Sequence, residues 1–124
     1  MPLRHEFDKM PNYLIVRSSG TVESMAELQC YLNKLFTYCD QENCGRIMSD
    51  ERQIDYSFST LEHFEIAEWI ERESFNEQIE RAATLTSEDQ YMNLKDLELF
   101  TSNRGLNFRI FSSEKHAASW LDGR

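Results

Sequence analysis

The side chains able to do chemistry in this 124-residue sequence are spaced so that none of the familiar reactive motifs forms. His5, His63 and His116 are scattered, and Cys30, Cys39 and Cys44 show no Cys-x-x-Cys spacing, so no metal-ligand set is expected. The glycines at 20, 45, 105 and 123 lie too far apart for a phosphate-cradling loop, and no G-x-S-x-G elbow occurs. With 22 acidic residues, close carboxylate pairs arise by chance and carry no acid–base message. The expectation is a non-catalytic protein without a cofactor, with an enzyme whose site no sequence motif marks as the third reading.

Two polar features remain. Ser57-Phe58-Ser59-Thr60 opens a helix, and Glu62 three residues after Ser59 completes a capping box. Ser59 therefore reads as an N-cap worth about 1 kcal/mol. The second reading, after the N-cap, is a phosphate acceptor, because a helix N-terminus favours negative charge. In the helix that follows, to about Ser74, Leu61, Phe64, Ala67 and Ile70 form the expected core stripe, and His63 points the same way. Glu62, Glu65, Arg72 and Glu73 mark the other side, with Trp69 among them. Tryptophan is enriched at interface hot spots. Either Trp69 meets a partner, or the helix is covered on two sides, or the helix is rotated from this register. The expected partner-facing set is Ser59, Glu62, Glu65 and Trp69.

The elements that must carry these residues follow from periodicity. Leu3 to Asp8 and Tyr13 to Arg17 read as strands joined by a turn at Pro11, and Ser18-Ser19-Gly20 ends the pair. Thr21 to Asn43 reads as a helix burying Met25, Leu28, Leu32, Leu35, Phe36 and Cys39. Thr21 or Ser24 caps its start, and Gly45 stands at its left-handed C-cap. Cys39 reads as a small buried hydrophobe and Cys30 as a thiol nearer the polar side.

Arg46 to Met48 reads as a short strand followed by a polar loop from Ser49 to Ser57. Beyond the Ser59 helix, Ile79 to Leu85 is a strand. A helix starts at Ser87, carries Tyr91, Leu94 and Leu97, and stops at Asn103-Arg104-Gly105. Phe108 to Phe111 is the last strand, and Ser113 caps a final helix burying Ala117, Trp120 and Leu121. The order β-β-α-β-α-β-α-β-α predicts an α/β fold, a single domain over 1–124. Its sheet is mixed, of four to five strands, with an N-terminal antiparallel hairpin and about four helices.

A net charge of -9 argues against nucleic acid and anionic membranes, which demand clustered Lys and Arg. It permits a basic protein partner. No apolar stretch approaches the roughly 18 residues of a membrane span. Residues 1–10 carry Glu6 and Asp8 and do not resemble a signal peptide. A cytoplasmic location is expected, in keeping with the cysteine pattern. Sheet edges left open allow a homodimer.

The order of elements, the stretch Asn103-Arg104-Gly105-Leu106-Asn107-Phe108-Arg109-Ile110-Phe111 with the Ala-Ala-Ser-Trp-Leu that follows, and the early Tyr-Leu-Ile-Val-Arg-Ser-Ser-Gly together resemble the STAS domain, in its SpoIIAA-like bacterial form. The resemblance implies a sheet with helices mostly on one face, no catalysis, and a regulatory or protein-interaction role. It also implies a switch serine in an Asp-Ser-Ser/Ala-Gly motif before the second helix. The serine survives as Ser59, while Phe58 stands at the acid and Leu61 at the glycine. Some relatives are grouped with Sec14-like lipid-binding domains, which implies a small apolar ligand as the alternative.

Overall fold

Alternate residues of an extended chain face opposite ways, so the run Tyr13–Val16 can be buried only in a sheet covered on both sides. The computed structural model describes residues 2–123 and shows such a sheet. Strands β1 (Arg4–Lys9), β2 (Leu14–Thr21), β3 (Arg46–Asp55), β4 (Arg81–Leu85) and β5 (Phe108–Phe111) lie side by side in chain order. The β1–β2 hairpin is antiparallel and every other pairing is parallel. Helices α1 (Met25–Glu42), α2 (Thr60–Arg72), α3 (Glu88–Tyr91), α4 (Lys95–Ser102) and α5 (Glu114–Leu121) connect and follow them.

Parallel strands added in one direction by right-handed crossovers put their connecting helices on one face. Leu14, Val16 and Ile47 accordingly pack there under Tyr31 and Leu35 of α1 and Ile66 and Ile70 of α2. The opposite face, with Ile15, Met48, Ala83 and Leu85, is covered by Ala117 and Leu121 of α5. Trp120 is only partly buried against this second cluster, packing on Phe111.

Several boundaries differ from expectation, each for a tertiary reason. β2 does not end at Ser18: after a bulge it runs on to Thr21, because β3 continues alongside it. Gly20, at φ 129, sits where a Cβ would come within 2.6 Å of the Pro2 carbonyl oxygen. α1 therefore starts later, with Ser24 rather than Thr21 as its cap. Asn43, not Gly45, takes the left-handed C-cap at φ 50. Gly45 instead admits the Gln78 carbonyl oxygen, 2.8 Å from where a Cβ would stand.

The largest correction is β3. It runs through Asp55 rather than stopping at Met48, because its polar residues find partners on neighbouring elements. The strand expected from Ile79 begins at Arg81. The single helix expected from Ser87 is broken by a 3-10 turn, Met92–Leu94, into α3 and α4.

In α2 the buried stripe is His63, Ile66, Ala67 and Ile70. Leu61 is 66% exposed and Phe64 37%, so neither is core. The expected stripe was turned by part of a helix turn, since α4 packs along one flank of α2 and α1 approaches the other. Cys39 is buried as expected, its thiol pushed up to about 12 by burial, and Cys30 is exposed.

Candidate functional site

The junction between β3 and α2 gathers more chemistry than any other part of the fold. Ser59 has extended backbone and accepts from the Glu62 N–H at 3.2 Å. The Glu62 carboxylate accepts from the Ser59 N–H at 2.9 Å, which closes the capping box. The Ser59 oxygen is thus engaged in starting the helix. Ser59→Ala is expected to lower stability by about 1 kcal/mol and the melting temperature by about 4 °C, read by thermal denaturation.

Beside this cap lies a surface cleft of about 390 Å³ between the 56–60 segment and the 90–96 segment. At its base the His63 ring is 3% exposed, and its Nδ1 meets Asp96 Oδ1 at 2.6 Å, tying α2 to the start of α4. This explains the buried histidine as a satisfied, bridging one.

Behind the cleft, between the sheet and α1, α2 and α4, is an apolar cavity of about 70 Å³. Its strand-side floor is polar. Alternation along β3 sends Ile47, Ser49 and Glu51 to this face. The Ser49 and Thr84 hydroxyls are 3.1 Å apart. The Glu51 carboxylate accepts from the Tyr56 O–H at 2.9 Å and the Ser49 O–H at 3.1 Å. The Tyr31 hydroxyl, fully buried, faces Glu51, Ser18 and Ser49 without a hydrogen bond of ordinary geometry among the described residues. Burial pushes the Glu51 carboxyl above the usual glutamate range, against the hydroxyls of Tyr56, Ser49 and Tyr31, while the Asp50 charge pushes it up further. Burial also raises the Tyr31 and Tyr56 phenols well above their usual range, with the Glu51 charge adding to it.

The other face of β3 is compensated. Asp50 bonds Arg17 at 2.7 Å and Arg52 at 2.8 Å, and both arginines reach Glu114 of α5. Burial pushes the Asp50 carboxyl up, but the Arg52 and Arg17 guanidiniums outweigh it and hold the group below its usual range. Two cations matched by two carboxylates leave no charge for a ligand, so this cluster reads as a clamp of α5 onto the sheet.

Of the residues singled out from sequence, the structure joins Ser59 and Glu62 and leaves Glu65 exposed on α2. Trp69 is not on an open acidic face. It is partly buried, and its ring meets Phe75 edge-on at 5.4 Å, because the helix is rotated from the register read in sequence. The exposed apolar residues there are Leu61 and Phe64 instead, with Leu99 of α4 58% exposed. Phe64 packs edge-on against Phe100 of α4 and lies under the Arg104 guanidinium, which also pairs with Glu71. Glu51, Tyr31, Tyr56 and Asp96 were not legible as site residues. The one available signal was Ile54, an apolar residue inside a polar stretch that turned out to be strand.

No family model and no curated protein matches the sequence. Solved structures do. An anti-sigma factor antagonist from Mycobacterium paratuberculosis superposes with a TM-score of 0.62 at 10% identity, over 97% of this chain and 94% of that one. A protein of the DUF3478 family from Shewanella loihica, described as having a SpoIIAA-like fold, superposes with a TM-score of 0.56 at 13% identity, over 96% and 93% of the two chains. The fold is SpoIIAA-like. At the level of architecture this bears out the STAS resemblance read from sequence. Among the described residues no helix of this SpoIIAA-like chain is long and apolar enough to cross a membrane.

Proposed function

We propose that this SpoIIAA-like chain is a non-catalytic regulatory module that docks a basic, amphipathic segment of another protein on the open side of α2. The reading rests on one observation: Leu61 and Phe64 are exposed on a helix whose charges are Glu62, Glu65, Glu68 and Glu71 against a single Arg72. Exposed apolar side chains ringed by acids offer burial at the centre and charge steering at the rim. The Ser59 cap stands at the head of the same helix, where a phosphate would add charge beside that surface. The likeness in fold to an anti-sigma factor antagonist supports the same reading.

The lipid alternative finds less support. A cavity of about 70 Å³ is under half the roughly 150 Å³ that accepts benzene, and so holds no acyl chain as it stands.

The test is quantitative affinity capture from the source organism with wild type and a Leu61→Asp/Phe64→Asp variant whose melting temperature matches wild type. A partner lost about tenfold or more by the variant, and released by salt, is expected. Equal recovery of every bound protein would sink the docking face. Phosphopeptide mapping across residues 53–72 addresses Ser59 separately, and complete coverage without modification leaves it as a helix cap.

A further inference from the structure

Tyr56, Phe58, His63 and Leu94 each face both the surface cleft and the internal cavity, so they form the wall between the two. Tyr56 and Phe58 differ from the other two in lying on the short connection between β3 and α2, where no helix or strand hydrogen bonds hold the backbone. Phe58 is partly buried, packed on the core and tilted against Tyr56 with ring centroids 5.8 Å apart. Its ring lines both spaces, and the segment bearing it belongs to no helix or strand ladder.

Behind that ring the chemistry is one-sided. The cavity walls are largely apolar, while the floor presents Glu51, bonded to Tyr56 and Ser49. A carboxyl with one such donor on each oxygen holds further lone pairs, which is unused hydrogen-bonding capacity.

We propose that the cavity is a gated binding site for a small neutral molecule with one aromatic ring and one hydroxyl or amide head, the ring replacing that of Phe58 and the head bonding Glu51 and Tyr56. The cavity alone is too small for a ring, so entry requires Phe58 to leave, and the space it vacates is ring-sized. An anion or a cation would lose its hydration to the apolar walls. The site is independent of the α2 docking face and stands or falls without it.

The probes are benzyl alcohol, toluene, benzylamine and benzoate, titrated into the full chain and followed by NMR chemical shifts and thermal stability. Benzyl alcohol is expected to bind saturably and to shift Tyr56, His63 and Leu94, with toluene about fivefold weaker for want of the head-group bond. Phe58→Ala removes the cost of displacing the gate and should tighten benzyl alcohol about tenfold. Glu51→Leu should abolish the preference for the alcohol over toluene, and Glu51→Gln, which keeps an acceptor, should retain it. The proposal is overturned if folded Phe58→Ala binds none of the probes, or if the shifts fall outside this wall. It is equally overturned if benzylamine or benzoate binds as tightly as the alcohol, or if the preference survives in Glu51→Leu.

Discussion

Glu51→Gln is expected to raise stability at neutral pH and to flatten its dependence on pH. The Glu51 carboxyl is raised in the folded chain, first by burial and then by Asp50, against the hydroxyls of Tyr56, Ser49 and Tyr31. Below the unfolded glutamate value near 4.3 both states hold the proton, and this site costs nothing. As pH rises above that value the unfolded chain releases its proton while the folded chain keeps it, so stability falls. The loss is complete once pH passes the raised folded value. Each tenfold difference in proton affinity is worth about 1.4 kcal/mol.

Glutamine keeps an acceptor for the Tyr56 hydroxyl and does not titrate. Asp50 supplies the opposing control. Its folded value is depressed, so its stabilisation is present at neutral pH and is lost as pH falls below the usual aspartate range. Urea denaturation of wild type, Glu51→Gln and Asp50→Asn from pH 3 to 8 separates the two windows. A wild-type curve that does not decline above pH 4.5 relative to Glu51→Gln would refute the assignment.

Ile66→Ala and Leu61→Ala should differ by several kcal/mol although they sit five residues apart on one helix. Ile66 is 1% exposed and packs in the core beneath α2, where truncating a large aliphatic costs about 2–5 kcal/mol. Leu61 is mostly exposed, and its truncation should move stability by no more than about 0.5 kcal/mol. The contrast matters for function, because Leu61 can be changed to test docking only if the fold does not depend on it. Equal destabilisation by the two substitutions would return Leu61 to the core and remove the docking face with it.

The expected stripe of Leu61, Phe64, Ala67 and Ile70 shows how far periodicity reaches. The helix, its Ser59 cap and Glu62 box were legible, because capping depends on residues three apart in one chain. The rotation of the helix was not. Leu61, Phe64, Ile66 and Trp69 are all apolar, and a 13-residue helix with four of them offers two stripes of similar quality. Packing chose the one facing the sheet and turned Trp69 onto Phe75, a residue outside the helix.

By itself the sequence determined the alternation of strands and helices, the opening hairpin and the buried Cys39, because these follow from local periodicity and short-range caps, while the SpoIIAA-like architecture was legible only as a resemblance. Only the tertiary structure decided where β3 ends and what its polar residues do. Ser49, Asp50 and Glu51 read as loop because an unpaired polar run belongs in water. They are strand because Thr84 and Arg17 reach Ser49 and Asp50 from the neighbouring strands, and Arg52 and Tyr56, close by in the chain, complete the satisfaction of Asp50 and Glu51. The candidate chemistry that the scattered His, Cys and acidic residues do not announce is therefore made by proximity in space: the Glu51 carboxyl, the Tyr56 phenol and the His63 ring stand around one apolar cavity.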